Sequence, residues 1–192
     1  VSAITCANGA KLNWNARRSA SVIDYVLRRT NFQNFDMHYT FYRDEQEDPY
    51  FEEVMYDLAV NNKADVIIHG TTRNPPKDTK VTTIQGDDVL LRDYPGNVEE
   101  RNESFEDFHT YEEFPEGKFH AINAWMNVDK KFIADQYKKF NLERELLSLT
   151  RSCEARPHHF GYNKTINGAE LAHFEKPCGK CWWCLEKKWA FG

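Results

Sequence analysis

The residues best suited to chemistry lie near the end of the chain, in the segment PCGKCWWC. Its three cysteines recur at every third position, and Cys153 follows the preceding helical segment. A Cys-x2-Cys turn can place two sulfurs on one metal, and four thiolates form the closed tetrahedral site that structural zinc prefers. We therefore predict a structural zinc site with the ligands Cys153, Cys178, Cys181 and Cys184, hereafter the four-cysteine cluster. Zinc would tie down a polar tail with little core of its own.

Other roles for these residues remain open. An iron–sulfur cluster is the main alternative to zinc, because four cysteines also hold such clusters. One of three histidines, His158, His159 or His173, can replace a thiol as ligand. Disulfides suit secreted chains, and nothing at the start of this chain resembles a secretory signal. The fifth cysteine, Cys6, falls in a predicted strand, where we expect a small buried hydrophobic residue.

The composition limits the classes of function. The chain has 192 residues, of which 41% are hydrophobic, enough for one ordinary core and a small appendage. Its net charge of -5 argues against general nucleic-acid binding and against binding to anionic membranes, because both need a basic surface. No apolar run approaches the ~20 residues that span a bilayer. We expect a soluble, cytoplasmic protein without membrane contact.

The order of the predicted elements indicates the fold class. Apolar patterns predict strands at 2–6, 35–42 and 64–70, separated by amphipathic helices at 14–29 and 51–59. The third strand, ADVIIHG, is a continuous apolar run, which is typical of a strand covered on both faces in a parallel sheet. Strands alternating with helices predict an α/β fold with a parallel sheet and flanking helices.

Apolar spacing also predicts which helix faces are buried. In the first helix the shared face consists of Ala16, Ser19, Ala20, Ile23 and Leu27, whereas Arg18 falls elsewhere. Asp129 can cap a later helix. The face of that helix consists of Phe132, Ile133, Tyr137 and Phe140. A short helical segment containing Leu142, Leu146 and Leu147 follows.

Two loops are candidates for a ligand site on geometry alone. Ligands of open α/β sheets bind beyond the carboxyl ends of the strands. The loops at Asn8-Gly9 and at 70–76 follow predicted strands, although each can equally be a plain turn. Residues 77–117 are rich in acids, Gly, Pro and Asn and show no lasting period. We predict a long loop or lid there, or a solvated surface insertion.

In combination, these motifs resemble the 7-cyano-7-deazaguanine synthases, ATP-dependent enzymes of the queuosine pathway in the N-type ATP pyrophosphatase superfamily. The family's second strand and Gly-containing turn are similar to VSAITCANGAK, and its substrate-contacting strand and Gly loop to KADVIIHGTT. Its Asp-Lys helix, leading into the first zinc cysteine, looks like NVDKKFIADQYKKFNLERELLSLTRSCE. Its terminal zinc motif matches PCGKCWWC. The last two matches are the specific ones.

The resemblance implies a fold and a reaction. A Rossmann-like parallel sheet would occupy an ATP pyrophosphatase-like domain at 1–150, and a small zinc-binding tail would occupy 151–192. ATP with Mg²⁺ would adenylate the carboxylate of 7-carboxy-7-deazaguanine, and ammonia would then displace AMP. A second activation would dehydrate the amide to the nitrile. Adenylation supplies a good leaving group, while Mg²⁺ and lysines neutralise the departing pyrophosphate.

The resemblance also implies roles for individual residues. Lys130, in the first turn of a helix, would be the catalytic phosphate contact, because a helix N-terminus favours anions. A solvated lysine at a helix start is the alternative. The residues that would bind the nucleotide or substrate are Asn8, Gly9, Gly70, Thr71 and Thr72.

The chain departs from the family at several points. The superfamily's Ser-Gly-Gly-x-Asp-Ser loop, which grips pyrophosphate, does not occur in these residues. Because the chain opens abruptly in a strand at Val1, we expect that loop and the first strand to lie upstream. The family's Arg-Asn element is replaced by EDPYFEEVM, and the spacing from Cys153 to Cys178 is longer than usual.

Two alternatives therefore accompany the leading hypothesis. One is a related ATP pyrophosphatase that acts on another acceptor. The other is a catalytically silent, zinc-stabilised module with a binding or structural role. The tail tryptophans Trp182, Trp183 and Trp189 can form a homodimer patch or cover the core.

Overall fold

The structure is a computed structural model that describes residues 3–8, 14–30, 33–43, 61, 66–68, 70, 72–95, 120–122, 124–153 and 176–192. Strands β1 to β6 span Ala3–Asn8, His38–Arg43, Val66–Ile68, Lys80–Thr82, Asp88–Leu90 and His120–Ile122. Helices α1 to α4 span Trp14–Thr30, Lys130–Lys139, Leu146–Leu149 and Trp182–Phe191. A 3-10 turn at Leu91–Asp93 follows β5 directly.

The described strands form three two-stranded sheets. β1 pairs in parallel with β2, with Ala3 opposite His38. β3 pairs in parallel with β6, with Val66 opposite His120, and β4 and β5 pair in the antiparallel sense. The predicted mixture of helices and strands is confirmed. The described strands do not form one Rossmann-like sheet, and their antiparallel pair was not predicted.

Strand β3 is covered on one face only, contrary to the prediction. Ile67 is buried, but Val66 is 48% exposed and Ile68 is 67% exposed. Successive side chains in a strand point to opposite faces, so these two share the open face. The continuous apolar run indicated a strand correctly but not its coverage on both sides. The helix predicted at 51–59 lies outside the described residues.

Helix α1 buries a charged residue that the apolar pattern had placed elsewhere. Ala16 and Arg18 are buried, whereas Ala20 is exposed. The Arg18 Nη1 group donates to the carbonyl of Leu149 at 3.4 Å, at the end of α3. Carbonyl groups at a helix end lack partners within the helix, and a long arginine can reach one while its stem packs. The predicted position of Arg18 is therefore wrong.

Residues 79–95 form a hairpin and the 3-10 turn, so the predicted loop at 77–117 is wrong there. Each strand of the hairpin has only three residues, which is too short for alternation to appear as a period. The turn between them is closed by the Thr83 amide, which donates to the carbonyl of Asp87 at 2.8 Å. Gly86 has a φ of +94°, which glycine adopts without steric cost.

The hydrophobic core joins this hairpin to α4. It consists of Val81, Leu91, Trp182 and Leu185. The partly buried side chains of Val89, Tyr94, Trp183 and Trp189 pack against it. The indole N–H of Trp182 donates to the buried carbonyl of Leu91 at 2.8 Å, which satisfies both polar groups. The tryptophans thus cover the core, and the homodimer patch stays a prediction.

The C-terminal segment therefore has more core than predicted. Trp182 and Leu185 of this segment belong to the hydrophobic core. They pack with Val81 and Leu91, which lie before the predicted domain boundary at 150/151. That boundary itself stays a prediction. None of the described helices is long and apolar enough to cross a membrane.

Helix α2 begins at the predicted cap but buries a different face. The Asp129 carboxylate accepts from the amides of Lys131 at 2.9 Å and Phe132 at 3.2 Å, as an N-cap does. Phe132 and Phe140 are exposed, whereas Ala134 is fully buried. Because α2 packs against α4, the small alanine side chain lets the two helices approach. The predicted face is therefore only partly right.

The hairpin's place in the core can be tested with two neighbouring leucines. Leu91 is 0% exposed and Leu90 is 38% exposed. We expect Leu91→Ala to lower the free energy of unfolding by about 2–5 kcal/mol, because truncation leaves a cavity in the core. Leu90→Ala, the matched control, should cost less than about 1 kcal/mol. Equal losses in urea denaturation of the two variants would contradict the packing of the hairpin on α4.

Candidate metal centre

Two segments of the chain bring the four cysteines together. Cys153 comes four positions after the end of α3, and the other three thiols come from the turn before α4 and from its first turn. The sulfur atoms of Cys153, Cys178, Cys181 and Cys184 all lie within 4.8 Å of one another. This arrangement brings together every predicted metal ligand.

The turn between the first two cysteines of PCGKCWWC aims backbone amides at sulfur. The amides of Lys180 and Cys181 each donate to Cys178 Sγ at 3.4 Å. Gly179 makes this turn possible because its φ of +71° lies in the left-handed region. The amide of Cys178 donates to Cys153 Sγ at 3.4 Å, so the two segments are also joined by backbone. N–H groups directed at sulfur favour the thiolate form.

The start of helix α4 positions the remaining two thiols. Cys181 is the N-cap residue, and its carbonyl accepts from the amides of Cys184 at 3.0 Å and Leu185 at 3.1 Å. Cys184 therefore lies in the first turn. A helix N-terminus carries partial positive charge, which stabilises thiolates there.

The thiols influence one another's ionisation. Hydrogen bonding with the Cys153 thiol, then with the other two thiols, lowers the pKa of Cys178. Hydrogen bonds with the neighbouring thiols raise the pKa of Cys153 and of Cys184, and burial adds to both increases. Ionised thiols this close together repel one another, so the four do not all ionise readily. A divalent cation would remove this restriction, because several thiolates can then share its charge.

The sulfur spacing fits a single metal ion. Zn–S bonds of about 2.3 Å in a regular tetrahedron place the sulfurs about 3.8 Å apart. Cys178 Sγ and Cys184 Sγ are 3.9 Å apart. The cluster is thus compatible with a metal such as zinc. A histidine ligand is not needed to complete it, and His158, His159 and His173 lie outside the described residues.

Comparison of the chain with protein-family models, with curated proteins and with solved structures finds no match. The donor set and its surroundings must therefore indicate the chemistry.

The other predicted site residues are only partly described. Asn8 ends β1, Gly70 comes two positions after β3, and Thr72 is buried. Gly9 and Thr71 lie outside the described residues. A backbone hydrogen bond from the amide of Arg73 to the carbonyl of Val128, at 2.9 Å, joins the loop after β3 to the residues before α2. The structure therefore places Arg73 next to the start of the helix that carries Lys130.

Lys130 makes an ion pair that the sequence did not reveal. Its Nζ group bonds the carboxylate of Glu186 on α4, and the two side chains are 18% and 0% exposed. The same Nζ lies 5.7 Å from the ring centroid of Trp183, within cation–π range. The Nζ group of the adjacent residue, Lys131, lies 5.0 Å from the ring centroid of Trp189. These contacts hold α2 against α4.

Two further cations near the cluster were also missed. Arg151 lies two positions before Cys153, and Lys187 lies three positions after Cys184 on α4. Burial lowers the pKa of both, that of Lys187 to about 8. For Lys187 the signal in the sequence was its spacing from Cys184, since helix positions three apart share a face.

The cluster's ligands can be tested by removing one thiol at a time. We expect Cys184→Ser to abolish stoichiometric metal binding and to shift Trp182 fluorescence to the red, because α4 begins at the ligands. Chelator treatment of the unchanged protein should give the same spectral shift. Cys6→Ser is the control, since Cys6 lies in β1 and outside the cluster. Full metal content in Cys184→Ser protein would contradict the four-thiolate site.

Proposed function

We propose that the four-cysteine cluster binds one zinc ion, and that the chain converts 7-carboxy-7-deazaguanine to 7-cyano-7-deazaguanine at the expense of ATP. The observation that carries the proposal is the convergence of four sulfurs within 4.8 Å of one another. The family resemblance depends on two motifs, the Asp-Lys helix with Cys153 and the PCGKCWWC segment. The cysteines of both motifs meet in this one cluster.

The geometry favours zinc over an iron–sulfur cluster. In a polynuclear cluster the cysteines bind different iron atoms, so their sulfurs spread over the whole cluster. Here all four sulfurs lie within 4.8 Å of one another, and the 3.9 Å between Cys178 Sγ and Cys184 Sγ matches the edge of a single tetrahedron. A single zinc ion would hold Cys153 against α4 and would contribute to folding rather than to the reaction.

The enzymatic part of the proposal is supported by where the predicted nucleotide residues lie. Asn8 is the last residue of β1 and Gly70 follows β3, both of which pair in parallel, and in α/β sheets this end of a strand faces the ligand. The loop after β3 is tied to the start of α2 by the Arg73–Val128 hydrogen bond. A phosphate held between that loop and the start of α2 would meet Lys130, since the amides of Lys131 and Phe132 already bond the Asp129 carboxylate.

In the proposed reaction a substrate carboxylate oxygen attacks the α-phosphorus of ATP, and pyrophosphate leaves. Ammonia attacks the resulting acyl carbon, and AMP and a proton leave to give the amide. The amide oxygen then attacks the α-phosphorus of a second ATP and pyrophosphate leaves, and loss of AMP and of both protons on nitrogen forms the nitrile. Lys130 would offset the negative charge of the departing pyrophosphate.

A second candidate is a catalytically silent, zinc-stabilised module. The Lys130–Glu186 ion pair favours it, because this lysine already has a structural role on α2. The two candidates differ in one measurable property. Only the enzyme releases pyrophosphate from ATP when the deazapurine carboxylate and ammonium are supplied.

We expect full-length, zinc-loaded protein to release pyrophosphate with this substrate pair. Elemental analysis of the same preparation should show one zinc per chain. Zinc without any pyrophosphate release or ATP–pyrophosphate exchange would reject the enzyme and leave the silent module. Iron and sulfide in place of zinc would reject the proposed metal. Release with a different acceptor acid would indicate the related pyrophosphatase.

Lys130's two roles can be separated with a paired substitution. Lys130→Met alone leaves the Glu186 carboxylate buried without this partner, so we expect a loss of about 3–5 kcal/mol in stability. Lys130→Met combined with Glu186→Leu should regain most of that loss, because both charges are removed. If Lys130 contacts phosphate, the stable double variant should lose pyrophosphate release. Glu186→Leu alone is not an adequate control, since it removes the carboxylate that pairs with Lys130. The adequate control is Lys138→Met, at an exposed position of α2.

A further inference from the structure

Two loops leave the parallel pair of β3 and β6 at the same edge. Ile68 lies opposite Ile122 in the register, so the two strands end level with each other. Gly70 comes two positions after β3, and Trp125 comes three positions after β6. Ligands of parallel α/β sheets bind in the crevice beyond the carboxyl ends of the strands. The topology therefore places Trp125 at the edge where a ligand is expected.

Backbone hydrogen bonds hold the two loops together. The amide of Arg73 donates to the carbonyl of Val128 at 2.9 Å, and the amide of Val128 donates to the carbonyl of Trp125 at 3.1 Å. The second of these bonds closes a turn from Trp125 to Val128. Arg73 is exposed. An exposed cation is thus fixed to one end of a turn that has Trp125 at its other end.

The ring of Trp125 packs on Phe132 in the first turn of α2. The two ring centroids are 6.3 Å apart, and the ring planes are inclined by 38°. Each residue is 39% exposed. Among the residues that the structure describes, the exposed phenylalanine and tryptophan side chains are these two and Phe140. The contact with Phe132 holds the indole in place while part of its surface stays open to a ligand.

A partly exposed, supported tryptophan suits a flat, fused aromatic ring. Stacking covers the face of the ligand ring and does not depend on its hydrogen-bonding pattern. The proposed function supplies two such rings, the deazapurine of the acceptor and the adenine of ATP. Both belong to anionic molecules, one a carboxylate and the other a triphosphate. The cations nearest in the chain to this turn and its partner loop are Arg73 and Lys130, which lies two positions before Phe132.

We propose that Trp125 stacks on the purine-type ring of a ligand bound beyond the carboxyl ends of β3 and β6. The inference rests on the proposed function, which names two ligands with such a ring. The shared chemistry is stacking on one face of the indole, and separate measurements with the two ligands identify which ring lies there. In this role Trp125 contributes to binding and not to the chemical steps.

The test uses three substitutions of Trp125 in the full, zinc-loaded chain. Trp125→Phe keeps an aromatic ring, Trp125→Leu keeps apolar packing against Phe132 without one, and Trp125→Ala removes both. Phe140→Ala is the matched control, because Phe140 is an exposed aromatic residue at the other end of α2. Isothermal titration calorimetry measures the affinity for 7-carboxy-7-deazaguanine and for ATP with Mg²⁺ separately. Urea denaturation checks that each variant is folded.

We expect Trp125→Leu and Trp125→Ala to weaken binding of one of the two ligands by about 5–100-fold, the effect of losing stacking on one side chain. Trp125→Phe should retain most of the affinity, and Phe140→Ala should not change it. Pyrrole-3-carboxylate and inorganic triphosphate, which lack the fused ring, should bind all the variants alike. A loss confined to the deazapurine would assign the acceptor ring to Trp125, and a loss confined to ATP would assign the adenine.

Tryptophan fluorescence gives a readout that a purely structural role would not move. A ring stacked on Trp125 should quench its emission in the unchanged protein and in Phe140→Ala. Trp125→Phe should still bind the ligand but show no quenching, although it keeps the four other tryptophans.

Two outcomes separate this inference from the proposed function. Pyrophosphate release with equal ligand affinity in all the variants would overturn the role of Trp125 and retain the enzyme. Binding of a purine-type ring that depends on Trp125, without pyrophosphate release, would retain the role of Trp125 and reject the enzyme. Failure of the unchanged protein to bind either ligand would overturn both.

Discussion

Four thiol groups held within 4.8 Å of one another can ionise together only if positive charge lies close to them. Two thiolates about 4 Å apart repel by roughly 4 kcal/mol at the effective dielectric of a protein surface, so the group cannot ionise together unaided. The structure provides partial charge from the amides directed at Cys178 and from the N-terminus of α4. A divalent ion would complete this arrangement.

The same requirement links the metal centre to the core. Cys181 caps α4, and the next residue, Trp182, is buried against Leu91 of the hairpin. Leu185, one turn into the helix, belongs to the same core cluster. Whatever fixes the thiols therefore also fixes the helix that supplies half of the core. Free energy from metal binding would become stability of the hairpin and of α4, because the cluster and the core share one helix.

Local features were predictable from the sequence, and long-range ones were not. The Cys-x2-Cys spacing and the Asp129 cap depend on neighbouring residues, and the structure shows both as predicted. The hairpin was missed because its stability comes from contacts with α4, about ninety positions later, where Leu91 meets Trp182. Arg18 and Glu186 were missed because a buried charge looks like an exposed one until its partner is known. The Rossmann-like sheet and the nucleotide loops stay predictions.

The phosphate contact proposed for Lys130 has to be compatible with the ion pair that this residue makes with Glu186. An ammonium group has three donors, and a fully buried Glu186 carboxylate requires only part of that capacity. The Lys130 side chain is 18% exposed, so its ammonium group can be reached from solvent while it pairs with Glu186. A phosphate bound at the start of α2 would interact with the same ammonium charge that holds α2 against α4. Nucleotide binding and the packing of the metal-bearing helix would then be coupled through a single ammonium group.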